Sequence, residues 1–213
     1  MALFGNGILG GFSGKVGTVV GSTWRGLEVM KSKPKKKRTR KFTEKQQAQR
    51  LRFDKGIKFA STMGSVFKKG FGNSAPDMTG VNRAASLMLK QAMTGEGPNL
   101  RIDYSKVLVS KGSLDAADQA TAVAGAGRID FTWLHDNPDP EKSSDNDKVL
   151  LVAYCEEKDR CTHSLGSATR IAGTARLDTP AFAGKKVQTW ISFISADGKK
   201  TADSIYTGEL TVQ

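Results

Sequence analysis

Apolar positions recur along this chain with two different periods, and the change of period divides it. In residues 43–69 they fall at helical spacing. Phe53, Ile57, Ala60, Gly64 and Phe67 step by four, three, four and three, which predicts one helix with a single apolar seam. Thr43-Glu-Lys-Gln46 has the form of a capping box at its start, and Gly70 and Gly72 mark its end. A second helix is expected over residues 77–93, with Ala85, Leu89 and Ala92 on one side. The breaker Thr94-Gly-Glu-Gly-Pro-Asn99 follows and predicts a domain boundary.

Beyond residue 100 the period shortens to two. Ile129, Phe131 and Trp133 alternate with polar residues, and Val149-Leu-Leu-Val-Ala-Tyr154 is a continuous apolar run of the kind found in central strands. Residues 104–110, 128–134, 148–155, 169–177, 187–195 and 204–212 read as strands, with a weaker one at 121–124. Asp197-Gly198 favours a tight hairpin. Seven short strands in about 110 residues predict an immunoglobulin-like or fibronectin-like β-sandwich. The Cys-Trp-Cys spacing of antibody domains is missing. Ahead of all this, residues 16–20 and 27–30 suggest two strands, with turns at Gly21 and Gly26. A two-stranded hairpin is marginal alone in water, so Trp24, with Val19 and Val20, is expected to anchor on the rest of the chain or on another subunit.

The expected fold class is therefore α+β, in three parts. Residues 1–41 form a glycine-rich and basic arm, 42–98 a helical segment, and 99–213 the sandwich.

Charge sharpens the first part. The chain has 213 residues and a net charge of +12. Residues 31–69 hold fifteen Lys or Arg against Glu44 and Asp54, a net of +13, while 1–30 add +1 and 70–213 add −2. The densest stretch is Lys31, Lys33, Lys35, Lys36, Lys37, Arg38, Arg40 and Lys41, with Pro34 favouring an extended path. Such a run suits phosphate or an acidic protein surface. No aromatic residue interrupts it, so base stacking is not indicated. Residues 34–38 also match a short nuclear-import pattern, a match common by chance. Hydrophobic content of 38% with 23 glycines suggests that part of the chain is extended or ordered by a partner.

Candidate chemistry is sparse. Gly5-Asn-Gly7-Ile-Leu-Gly10 has dinucleotide-loop spacing but lacks the preceding strand, and Gly14-Lys15 lacks both the first glycine and the hydroxyl of a phosphate loop. Cys155, Cys161 and His163 have no standard zinc spacing. The two cysteines could pair across a hairpin in an oxidant. The acidic stretch 136–147 lacks the calcium-loop pattern, and its other use would be to receive a neighbour's basic arm. With two histidines and no partnered nucleophile, no catalytic constellation, cofactor or metal is expected. No apolar run is long enough to span a bilayer, and the first residues lack a signal-peptide pattern.

Residues 11–26, Lys33-Pro-Lys-Lys36, 43–53, 102–112 and Phe193-Ile-Ser-Ala-Asp-Gly-Lys199 together resemble an uncharacterised family widespread in Bacteroidota. That resemblance implies no activity and transfers no site residue. Residues 11–60, a Ser-Gly-Lys-x-Gly leader, a Pro/Lys segment and a helix opening on Thr43, are also similar to predicted virion structural proteins of phages and prophages. This implies a non-enzymatic building block of a virion or phage-derived particle, made in the bacterial cytoplasm. Its partners would be other copies or neighbouring particle proteins, through Val19, Val20 and Trp24, with DNA or RNA as a further partner of the cations. No membrane or small-molecule substrate is implied. The alternative is a sequence-nonspecific nucleic-acid-binding protein.

Overall fold

Successive side chains of a strand point to opposite faces, and the apolar run at 149–154 serves both. In the computed structural model, which describes residues 2–4, 11–24, 26–33, 42–72, 78–135 and 142–213, that run lies in an eight-residue strand with every residue from Val149 to Cys155 buried. Val149, Leu151, Ala153 and Cys155 pack into one apolar cluster, and Leu150, Val152 and Tyr154 into another. The chain divides into two compact units, Met1–Thr43 and Glu44–Gln213.

The first unit is an antiparallel sheet of four strands, β1 (Ala2–Phe4), β2 (Phe12–Val16), β3 (Val19–Trp24) and β4 (Leu27–Ser32), in that spatial order. This corrects the expected pair of strands. Val16 and Val19 face each other across a two-residue turn at Gly17, where φ is +57°, so the expected strand 16–20 straddles a reversal. Gly26, at φ +81°, makes the next turn, as expected. Gly21 is not a turn; it lies inside β3, where a side chain would run into the Phe12 carbonyl.

The second unit contains three helices and antiparallel sheets, a mixed α+β fold. The helices are α1 (Glu44–Thr62), α2 (Gly64–Gly70) and α3 (Gly80–Gln91). A short pair, β5 (Met93–Thr94) and β6 (Arg101–Ile102), closes the breaker segment into a reversal tied to α3 by the Asp103 N–H to the Ala92 carbonyl, 2.7 Å. The remaining strands are β7 (Asp118–Gly125), β8 (Arg128–Leu134), β9 (Lys148–Cys155), β10 (Arg160–Thr169), β11 (Thr174–Asp178), β12 (Lys186–Ile194) and β13 (Ile205–Thr211). They form a four-stranded sheet in the order β10-β9-β12-β13 and a three-stranded sheet in the order β11-β8-β7. One face of the larger sheet shares a cluster with Ile129, Phe131 and Trp133 of β8 and Leu177 of β11. Its other face, with Trp190 and Ile194, packs against Phe59, Met63, Val66, Phe67 and Met88 of the helical segment. Apolar packing thus runs across the expected boundary at residue 98.

Five local features depart from the expected pattern. The expected helical seam holds at Ala60 and Phe67, which are buried, and fails at its first two positions. Gly56, Phe59 and Ala60 face inward, whereas Phe53 is 51% exposed and Ile57 is also exposed. Gly56 faces α3 closely, and a Cβ there would come within 2.7 Å of Leu89 Cδ2, so that the Leu89 side chain would have to shift. The helix also breaks at Met63, and Gly64 begins α2. Residues 104–110 are not a strand. Tyr104–Lys106 is a 3-10 turn, and side chains then satisfy the extended backbone: Trp190 Nε1 donates to the Val107 carbonyl at 3.1 Å, and the Val109 N–H donates to Ser204 Oγ at 2.9 Å. The expected strand 169–177 is shortened to β11 by a 3-10 turn at Arg170–Ala172, which ends at Gly173 with φ +66°. The ten-residue β10, polar in composition, has no counterpart among the expected strands; it is held by pairing with β9 from Arg160 opposite Cys155 onward.

Candidate functional site

Lys31 ends near the tip of β4 and Lys33 follows it, both exposed. Lys35, Lys36, Lys37, Arg38, Arg40 and Lys41 lie outside the described residues. Val19 and Val20 sit half-buried in β3, opposite Ser32 and Lys31, and Trp24 closes β3 opposite Leu27. A strand over 27–30 is expected from the sequence, but not its place as an open edge. Every residue of β4 is exposed, with Leu27 at 62% and Met30 at 69%. Gly21 is the only buried residue among the described side chains of the first unit. The alternation Leu27, Val29, Lys31 was the available signal, but nothing local marks a strand as an edge.

The β4 edge has a definite polarity. The Lys33 N–H donates to the Thr18 carbonyl at 2.7 Å. In an antiparallel ladder, bonded and non-bonded pairs alternate. Continuing the register Val20 to Lys31, Ser22 to Val29 and Trp24 to Leu27, the odd-numbered residues of β4 turn their backbone groups toward β3. The N–H and C=O groups of Glu28, Met30 and Ser32 therefore point away from the sheet.

The cations of α1 behave differently. Arg52 donates to the carbonyls of Leu89 (3.0 Å) and Met93 (3.3 Å), at the C-terminal end of α3, where a cation complements the helix dipole. Lys55 Nζ donates to the Leu100 carbonyl at 2.7 Å, and Lys58 lies 3.0 Å from Asp159. These side chains clamp the helix to its own unit. Around them is a cleft of about 660 Å³ lined by Leu51, Asp54, Lys55, Lys58, Gly97 and Leu100. A smaller one of about 230 Å³ shares both lysines and reaches Tyr104, Tyr154, Glu156 and Asp159.

Asp159 organises the smaller cleft. It sits at φ +48° in the turn between β9 and β10, and accepts from Lys58, from Thr62 Oγ1 (3.1 Å) and from the Tyr154 hydroxyl (3.1 Å). Burial pushes its carboxyl up, but those three donors outweigh burial and hold it below the usual value. Burial, reinforced by Glu156 and Asp159, raises both tyrosine hydroxyls well above their ordinary value. The groups are bonded to one another, an arrangement that fixes the β9–β10 hairpin against α1.

Cys155 and Cys161 lie on neighbouring strands, but in register Cys161 stands opposite Tyr154 and Cys155 opposite Arg160. Cys155 joins the cluster under the smaller sheet and Cys161 packs on the helical side. Both are free, on opposite faces of one sheet, so no cross-hairpin disulfide forms. Burial pushes the Cys161 thiol up to about 12. His163, on the same strand, is lowered by burial and by Lys69. His135 meets Asp145 at 2.8 Å and Asp147 meets Arg170, so two acids of the stretch 136–147 are used internally; residues 136–141 lie outside the described residues. Among the described residues, no group of three His, Cys, Asp or Glu could hold a metal ion, and no helix is long and apolar enough to cross a membrane.

Comparison with known proteins places the chain in a family. Residues 11–208 match the family of unknown function DUF6266, and the chain belongs to that family. No curated protein matches it.

Proposed function

We propose that this chain is a non-enzymatic structural assembly protein, a component of a virion or phage-derived particle. The observation that carries this reading is the first unit. Its described residues form a regular four-stranded sheet, and of strands β2 to β4 the one buried residue is a glycine, while Trp24, Leu27 and Met30 are exposed. A sheet with an exposed apolar strand gains its stability from what covers it. Other copies of the chain, or neighbouring particle proteins, supply that cover, with Val19, Val20 and Trp24 at the interface. The basic run that follows β4 steers the approach. We read the two facing sheets of the second unit as an immunoglobulin-like or fibronectin-like module carrying helices on its larger sheet. The leader's likeness to virion structural proteins supplies the particle context.

A second reading, sequence-nonspecific binding of nucleic acid, is favoured by the exposure of Lys31 and Lys33 where the run begins. Arg52, Lys55 and Lys58 are engaged within the second unit, which turns this reading toward the arm.

Size analysis and electron microscopy of the purified full chain, free of nucleic acid, test the first reading. A defined oligomer or particle is expected. A stable monomer under assembly conditions overturns it.

A further inference from the structure

We infer that the open edge of β4 is the surface through which two copies join, strand to strand and antiparallel, about a two-fold axis at Met30. The inference deepens the assembly reading and rests on it.

The edge is built for strand addition. Sheet edges are ordinarily blunted by proline, by bulges or by charged side chains, and of these β4 carries only charge, at Glu28 and Lys31, of opposite sign. Residues 27–32 contain no proline, pair with β3 without a register break, and expose Leu27, Val29 and Met30. The outward backbone groups are those of Glu28, Met30 and Ser32, as the ladder requires. A two-fold axis perpendicular to a sheet keeps each residue on its own face, so opposed residues must share parity. Two registers then compete near the middle of the strand. Centred on Val29, Ser32 falls opposite Gly26, beyond the end of the partner β4. Centred on Met30, all three outward residues find partners within β4: Met30 with its own copy, and Glu28 with Ser32 in both directions. That register forms about six backbone hydrogen bonds, two for each bonded pair.

Charge favours the same arrangement. Glu28 lies toward one end of β4 and Lys31 and Lys33 toward the other. Parallel pairing would align like charges, each Lys31 beside its copy. Antiparallel pairing brings the acidic end of one strand to the basic end of the other, and sets Lys31 opposite Val29 so that its aliphatic stem covers that side chain. The product is one continuous eight-stranded sheet, with the Lys33 residues of the two copies at opposite ends of the new strand pair.

The test uses the full chain and three variants. Met30→Pro removes an outward N–H and spares the bonds to β3, as proline on an edge strand does. Met30→Lys and Met30→Glu each place like charges face to face at the axis. Across a concentration series in sedimentation, the wild type should associate. Met30→Pro should be monomeric with an unchanged circular-dichroism spectrum. The Lys and Glu variants should each associate at least tenfold more weakly, and their equimolar mixture should recover association. If the wild type associates and neither Met30→Lys nor Met30→Glu weakens it, the β4 edge is not the interface while the assembly reading stands. If both are weakened and their mixture does not recover, the Met30 axis is wrong. A wild type that stays monomeric throughout overturns both readings.

Discussion

Arg170 Nε lies 3.1 Å from Asp147 Oδ2, and both side chains are almost wholly buried, 4% and 3% exposed. The pair is satisfied on every side. Arg170 also donates to the Asp115 carbonyl at 2.9 Å and stacks 3.9 Å over the Phe193 ring, while Asp147 accepts from the Ser144 N–H at 3.0 Å. It ties the segment before β9 to the turn before β11, and explains why residues 170–172 leave the sheet. Removing one partner strands a buried charge. Asp147→Leu or Arg170→Met should each cost about 3–5 kcal/mol in urea unfolding, and the double variant less than either single one. Equal or additive losses would show that the ion pair is not the link.

Gly70 ends α2 against the chain at 109–111, with the Lys111 N–H bonded to its carbonyl at 3.2 Å. A Cβ there would run into the Val109 carbonyl oxygen, a backbone atom that cannot swing aside. Gly70→Ala should lose about 1–3 kcal/mol by overpacking, despite alanine's better helix propensity. Gly64→Ala, where a Cβ meets open space, should be neutral or stabilising. Thermal midpoints of the two variants measure the contrast.

His163 sets an acid limit on stability. Burial and Lys69 hold its imidazole below the usual value, so the folded chain binds a proton less readily than the unfolded one. Stability from this site is full above the unfolded value of about 6.5 and is lost as pH falls below it. His163→Gln should flatten the part of the urea-midpoint profile that falls away below that value. Asp159 acts at lower pH. Its carboxyl is held below the usual value, so its contribution is present above about 3.9 and lost as pH falls further.

The lysines around Asp159 should matter little, because Lys58 is largely exposed. Lys58→Ala should change stability by less than about 1 kcal/mol. Tyr154→Phe, which strips a hydroxyl donor from Asp159, should cost about 1 kcal/mol. A larger loss for Lys58 than for Tyr154 in paired denaturation curves would invert this ranking.

If the arm touches nucleic acid, replacing Lys35, Lys36, Lys37 and Arg38 by Ala should flatten the salt dependence of DNA retention. On duplex DNA the slope should fall by about 0.9 for each phosphate that is no longer neutralised. Arg52→Ala and Lys55→Ala should leave that slope unchanged. An unchanged slope in the four-residue variant excludes the arm as the DNA-binding element.

Much of the second unit was legible because its signals are local. The alternation at 128–134 and the apolar run at 148–155 became β8 and β9 with those bounds. Helix α1 begins one residue after Thr43, and Asp197-Gly198 turns tightly, with the Gly198 N–H bonded to the Ser195 carbonyl at 2.8 Å. Of the candidate site, strand character at 27–30 and the exposure of Lys31 and Lys33 could be anticipated; that Val19, Val20 and Trp24 share one strand could not, because Gly21 between them reads locally as a turn. The identity of the open edge could not, since an edge is defined by which strand is missing beside it.

The sequence alone determined where the chain turns from helical to strand periodicity, where its charge concentrates, and which runs are apolar enough to be central strands. Those properties depend on neighbours a few residues apart. Tertiary structure decided which side of α1 is buried, because α3 packs along Gly56, Phe59 and Ala60 rather than along Phe53 and Ile57. It made a strand of the polar segment 160–169 by giving it β9 to bond, and denied one to residues 104–110 by giving their backbone to Trp190 and Ser204. It also put Cys155 and Cys161 on opposite faces and turned Met30 outward. Each outcome was set by hydrogen-bond partners and close approaches distant in sequence, which no local pattern encodes.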